Sequence, residues 1–261
     1  YKVSNYQEDD LSRSEAPIGE LERYDIDVHQ FQLVSPLGRN MSLHVDANYE
    51  SLSGASPWFT SRSLDGEPVV NLSGPSGIWD RRAELSVGSR YYLENGSFAG
   101  KIGYSKENDY SAAYIGLNGE KNYNNNLTTV SVGLSYSSDE IFPTDAALFN
   151  RVIEDDKQST SVFFSVSQII NQVSSFQSAL SITEQSGFLS DPYKLRDIRP
   201  DNKKQIAWSN SYRRFFVSKN AAFHANYRYY HDDFGINSHT SDLSWHQNFG
   251  HTLQLVPMLR Y

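Results

Sequence analysis

The chain has 261 residues, no cysteine and a formal net charge of −8, a length that fits one or two domains. The missing cysteine removes disulfides, thiolate metal sites and CxxCH haem attachment, and the acidic balance, with a pI of about 5.3, argues against nucleic acid as a partner. No run of about 18 apolar residues offers a transmembrane helix, whereas a membrane β-strand needs only about 9–11 residues of alternating polarity.

Residues 1–7 read as a first partial strand and 8–22 as an acidic, turn-rich loop. Residues 23–35 are strand-like, but the apolar side drifts from Tyr24, Ile26 and Val28 to Phe31 and Leu33. A bulge near Gln30 would account for the switch. After the tight turn PLGRN at 36–40, Met41, Leu43, Val45, Ala47 and Tyr49 alternate with Ser42, His44, Asp46, Asn48 and Glu50. A period of two places one set on each strand face.

A long Gly/Ser/Pro-rich loop covers 51–80. Ala83, Leu85, Val87 and Tyr91 then alternate with Arg82, Glu84, Ser86 and Arg90. ENGS at 94–97 is a hairpin signal, with Asn-Gly expected to supply positive φ. Phe98, Ile102 and Tyr104 continue, then Ala113, Ile115 and Leu117 return to NYNNN, from which Val130, Val132, Leu134 and Tyr136 rise. A second long loop spans 137–158 and a third 185–204. Between them lie Val162, Phe164 and Val166, the turn INQVSS, then Phe176, Leu180 and Ile182. Ile206, Trp208 and Tyr212 descend to FVSKN. Phe223, Ala225, Tyr227 and Tyr229, then Leu243 and Trp245, then Leu253, Leu255, Pro257 and Leu259 complete the pattern.

Short connections alternate with wide ones, which is the asymmetry of outer-membrane barrels with short periplasmic turns and long external loops. A soluble sandwich would need two apolar inner faces. The predicted fold is therefore all-β, an antiparallel up-and-down transmembrane β-barrel forming a single domain over 1–261, located in the outer membrane of a Gram-negative bacterium. About 13 strands are visible. Bacterial barrels use even numbers, so one or more strands are expected after Tyr261, with 14–16 in the complete protein. The opening YKVSNYQEDD holds no signal peptide, so any export signal is expected to lie outside this sequence.

Ala47, Tyr49, Leu85, Val87, Leu134, Phe164, Leu255 and Leu259 are expected to face lipid. The lumen is expected to be lined by Asp46, Glu50, Arg82, Glu84, Arg90 and Lys101 from the first half, and by Glu184, Arg213, His224, Arg228 and Arg260 from the second. Both signs occur, so facing pairs can satisfy buried charges.

Four segments carry a family resemblance: SGASPWFT at 53–60, DEIFPTDAALF at 139–149, SGFLSDPYKLRDIRPD at 186–201 and YRYYHDDFGINSHTSDLSW at 227–245. They resemble the DUF3570 family of Gram-negative proteins, predicted outer-membrane barrels of unassigned function. The resemblance covers essentially the whole chain. It implies a complete barrel of about 16 strands and an envelope redox setting, with a small lipoprotein or redox protein as partner beside the outer-membrane lipids. It supplies no catalytic residues.

Within the loop at 139–157, Pro143 and Thr144 read as a helix start, with Thr144 as cap and Asp145 favouring the helix N-terminus. Leu148, Phe149 and Ile153 would give that helix an apolar side, either as a plug or docking element or as a loop helix packed on its neighbours. Asp139, Glu140, Asp145, Glu154, Asp155 and Asp156 form an oxygen-rich group, which can hold Ca²⁺ or be a solvated face. His231, Asp232, Asp233 and His239 bracket one turn and are the metal candidates; the competing reading has the aspartates capping backbone amides. Lys194, Arg196 and Arg199 offer an anion site or belong to a charged loop network. Trp58, Phe59, Phe142, Leu148, Phe149, Phe188 and Tyr193 are more large apolar groups than solvated loops need. They are expected to form a cap that narrows the pore, or a docking patch. No GxSxG occurs and no Ser is placed beside a His with an orienting acid. The expected function is a conduit or a scaffold for a partner complex, with no enzyme activity and no cofactor; a barrel hydrolase or a structural or adhesion protein is the alternative.

Overall fold

A computed structural model describes residues 1–10, 12, 14, 21–54, 58–62, 68–72, 78–193, 197–250 and 252–261, and omits the side chains of 58–62, 68–72 and 78. The strands are β1 (Lys2–Gln7), β2 (Asp25–Pro36), β3 (Met41–Gly54), β4 (Trp58–Arg62), β5 (Pro68–Leu72), β6 (Ile78–Leu93), β7 (Gly96–Lys106) and β8 (Tyr110–Tyr123). They continue as β9 (Thr128–Ile141), β10 (Asp155–Asn171), β11 (Ser174–Gly187), β12 (Asn202–Phe216), β13 (Ala221–Asp232), β14 (Asn237–Phe249), β15 (Leu253–Leu255) and β16 (Met258–Arg260).

All but β4 and β5 join one 14-stranded antiparallel sheet in chain order. β15 and β16 both pair with β14 and together form its last rung, interrupted at Val256 and Pro257. Proline has no N–H to give a ladder. Among the described residues the sheet is open: β1 stands at one edge and β15 at the other, and they do not pair. Among the described residues no helix is long and apolar enough to cross a membrane, which says nothing about strands.

Each hairpin keeps the period of two, so the two faces differ in chemistry. Leu33, Val45, Val87, Ile102 and Ile115 form one continuous row across five strands. All eight residues expected to face lipid share that face. It is strongly exposed, with Leu85 at 54% and Ile102 at 62%. The opposite face is polar and closed in, burying Ser86, Ser105, Ser165 and Asp139. Ile141 and Ala221 are the only buried hydrophobic residues among those described. A water-soluble sandwich would do the reverse.

The short connections are tight because small polar residues accept left-handed φ: Gly38, Asn124, Asn125, Asn126, Asn220 and Gly250 all have positive φ. The ENGS hairpin forms with Glu94 and Asn95 at its tip, but for a different reason than expected. None of Glu94, Asn95 or Gly96 is among the residues with positive φ. Gly96 is needed for space, since a Cβ there would lie 2.2 Å from the Glu120 carbonyl oxygen.

The expected bulge near Gln30 is absent. β2 keeps one unbroken register with β1 and β3, and Ile26 and Val28 instead lie on the polar face beside Gln30 and Gln32. The only shift between β10 and β11 falls at Ile169 and Asn171. Two wide loops are shorter than expected, because β9 and β10 pair up to Ile141 and Asp155, and β11 and β12 up to Ser186 and Asn202. The first long loop contains the β4–β5 hairpin, a separate two-stranded sheet. Between β9 and β10 lies α1 (Ala146–Phe149), a single turn. Its N-cap is Asp145 in the left-handed region with no side-chain cap, so Thr144 does not cap it.

Candidate functional site

On the polar face, ten of the eleven residues expected to line a lumen share one side of the sheet. Glu184 is the exception. It lies two residues from Ile182 on β11, hence on the apolar face, opposite Thr160 and Lys204. It pairs with Lys204 Nζ at 3.5 Å, both side chains being exposed at the wide-loop end.

Between β3 and β8 the polar face is a charged network. Glu84 accepts from Tyr114 Oη at 2.5 Å and Arg82 Nη2 at 2.9 Å, and Arg82 also approaches Glu50 and Glu107 at 3.9 and 3.7 Å. Arg90 donates to Ser97 at 2.6 Å and Asn118 at 3.2 Å, Asp46 accepts from Gln32 at 2.9 Å, and Lys101 Nζ lies 5.2 Å from the Tyr114 ring. From β12 onward charge returns: Arg213 donates to the Ala225 carbonyl, His224 meets His246 in a tilted ring contact at 4.1 Å, Arg228 covers the Tyr230 ring, and Arg260 pairs with Asp242 at 3.0 Å. The wall between, on β9 to β11, is mostly hydroxyl, as in the Ser161–Thr183 contact of 2.8 Å.

At the wide-loop end this face opens into a cavity of about 450 Å³. Two similar constellations flank it. On one side the buried Asp139 accepts from Tyr110 Oη at 2.5 Å and holds Lys157 Nζ at 3.4 Å. On the other, Asp232, 0% exposed, accepts from Tyr230 Oη at 3.0 Å and holds Lys203 Nζ at 3.1 Å. Each ammonium also lies near a ring, Lys157 at 5.2 Å from Tyr110 and Lys203 at 4.8 Å from Phe234. Arg199, the third cation, is held by Asp197 at 3.0 Å.

The loops over this cavity are knitted together. Tyr193 donates to Asp109 and meets Thr144, while Arg151 donates to the Thr144 carbonyl at 2.7 Å and lies over the rings of Phe149 and Tyr193. The Phe142 N–H donates to Asp109, and the Phe188 N–H to Asp156. Phe188 and Tyr193 line the cavity. Leu148 and Ile153 remain 77% and 73% exposed, and Phe149 is exposed as well. The side chains of Trp58 and Phe59, and all of Lys194 and Arg196, lie outside the described residues.

The metal candidates do not converge. His231 and His239 occupy the apolar face, where His239 bonds Tyr227 at 2.7 Å, while Asp232 faces the polar side. Asp232 and Asp233 instead bind the backbone N–H groups of Ile236 and Lys204, which is the amide-capping reading. The acidic group at 139–156 is dispersed as well, since Asp139 and Glu140 face opposite sides of β9. Asp80, Glu107 and Asp109 come within 4.8 Å of one another, although Asp80 already binds the amides of Arg81 and Asn108. Burial pushes the Glu107 carboxyl above its ordinary range, and Asp80 and Asp109 add to this while Arg82 opposes it. Lys157, Lys203, Glu107 and Asp109 were not singled out from the sequence. The available signal was position, Lys157 and Lys203 at strand ends next to wide connections and Glu107 and Asp109 in the turn at 107–109.

A family model described as a protein of unknown function (DUF3570) matches residues 1–261. No curated protein matches the sequence. Among solved structures, the chain resembles a mutant of the ferric enterobactin receptor (PfeA) from Pseudomonas aeruginosa, with a TM-score of 0.59 and 9% identity. The likeness covers 97% of this chain and 42% of the receptor chain, and at that identity it is a likeness of fold.

Proposed function

The chain belongs to the DUF3570 family, whose description carries no activity, and we propose that it is an outer-membrane β-barrel whose polar face lines a conduit narrowed by its outer loops. One observation carries this reading: a single sheet presents an exposed apolar face to one side and a hydrogen-bonded face of both charge signs to the other. An apolar outer surface is what lipid requires, and a polar interior is what a solute path requires. The Asp109–Tyr193–Thr144–Arg151 connections support the narrowing, because they tie two wide connections and the β7–β8 turn together at one end. The role is passage across the outer membrane of a Gram-negative cell, with no chemistry of its own.

A second reading, a scaffold for an envelope lipoprotein or redox protein, is favoured by the exposed Leu148, Ile153 and Ile198 on the same loops. Planar-bilayer recordings of the purified protein and of a variant lacking residues 146–153 separate the two. A rise in single-channel conductance on deletion supports the narrowed conduit. Unchanged conductance with loss of a co-purifying envelope protein supports the scaffold and rejects the narrowing.

A further inference from the structure

The end of the polar face opposite the wide loops has its own charge pattern. No Asp or Glu occurs over 157–183 or 202–231, although the chain as a whole carries −8. Elsewhere on this face cations are mostly matched: Arg82 holds Glu84, Arg90 Glu120, Lys157 Asp139, Lys203 Asp232 and Arg260 Asp242. Arg213 on β12 holds no carboxylate among the described residues. Its Nη1 donates to the carbonyls of Tyr212 and Ala225 at 3.0 and 3.3 Å, which fixes the guanidinium and leaves Nε and Nη2 without a protein acceptor among the described residues. Its cross-strand neighbours are Ser175 on β11 and His224 on β13. All three line a cavity of about 320 Å³, together with Asn171 and Gln172 at the β10–β11 turn. His246 on β14 extends the group, its ring 4.1 Å from that of His224 and its Nε2 3.1 Å from Ser244 Oγ. Asp242, the next polar-face position along β14, is taken by Arg260.

We propose that Ser175, Arg213, His224 and His246 form a site for phosphate, either the inorganic ion or the phosphate group of a small solute. The planar fork of an arginine matches phosphate oxygens. Each neutral imidazole carries one N–H and the serine a hydroxyl. Donors brought in from four strands suit a tetrahedral group with oxygens in several directions, whereas a planar carboxylate uses only those near its own plane. A cation would meet an arginine with no carboxylate to offset it. A neutral solute would leave the half-buried guanidinium uncompensated, which is costly. The volume of about 320 Å³ lies at the small end of the about 300–1,000 Å³ usual for ligand sites, as a small solute requires.

The inference goes beyond the conduit reading and does not depend on it, since binding in detergent needs no open pore. Calorimetric titration of the full chain at low ionic strength with inorganic phosphate, glycerol 3-phosphate, acetate and chloride tests it. Phosphate is expected to bind, and acetate and chloride to bind about tenfold more weakly or worse, the scale of a lost charge-assisted contact. Binding of both phosphates assigns the site to the group, and binding of one alone names its source. Arg213→Gln is expected to weaken phosphate by about tenfold or more. Arg81→Gln, on the apolar face at the other end of the sheet, is expected to leave it unchanged. Acetate or chloride binding as tightly as phosphate, equal losses in the two variants, or no saturable heat with either phosphate at millimolar concentration would overturn the proposal. The ligand series decides the matter even if the Arg213 variant fails to fold. Bilayer conductance with no phosphate binding would reject this site and leave the conduit standing.

Discussion

Tyr114 crosses Gly103 to donate a 2.5 Å hydrogen bond to Glu84, two strands away. The crossing is possible because Gly103 has no side chain: a Cβ there would lie 2.3 Å from Tyr114 Cζ. Gly103→Ala is therefore expected to displace the ring and destabilise the sheet by about 1–3 kcal/mol, the range for a buried polar group that loses its partner. Tyr114→Phe is expected to cost about 1 kcal/mol alone and less in the Gly103→Ala background, because both changes remove the same bond. Denaturant unfolding of the four proteins in vesicles measures the coupling.

The apolar face makes a sign-specific prediction. Leu85→Arg or Val87→Arg is expected to cost about 2–4 kcal/mol if the position lies near the bilayer midplane. Glu184→Leu lies on the same face but at its wide-loop end, beside Lys204, and should shift stability by about 0.5 kcal/mol or less, as exposed ion pairs contribute little. Urea titrations of folded barrels compare the three.

The loop assembly depends on one hydroxyl. Tyr193→Phe removes the contacts to Asp109 and Thr144. Hydrogen exchange at the Phe142 and Thr144 amides is expected to quicken, with protection in β9 and β10 unchanged. Uniform exchange across both strands and loops in the variant would show that the tyrosine supports the whole sheet instead.

A pH dependence follows from Glu107. Its folded carboxyl titrates above the ordinary value of 4.5, first because of burial and then because of Asp80. The protonated form is the better tolerated one, so the stability this group contributes is full below pH 4.5 and is lost as pH rises through the raised value. Glu107→Gln, which keeps the neutral shape, should flatten that part of the unfolding profile. An identical slope in both proteins would place the titration elsewhere.

Residue order alone decides which side chains share a face, because the strand period is two and every hairpin preserves it. That is why Leu85 and Val87 separate from Arg82 and Glu84 by parity alone, and why Glu184, which shares the parity of Ile182, falls on the apolar face. The alternation of short and wide connections was equally local, written in PLGRN, NYNNN and FVSKN. Strand ends were not, since β9 and β10 extend by pairing with each other through residues that look loop-like singly. The cavity needed the tertiary structure for the same reason. Lys157 and Lys203 become neighbours of one space only through the registers of β9 to β13. Tyr193 finds Asp109 across 84 residues. Contacts between loops depend on how far each strand pair runs before it opens and on where the sheet's curvature carries the loops. Those are properties of the assembled backbone, and no local alternation of polar and apolar residues encodes them.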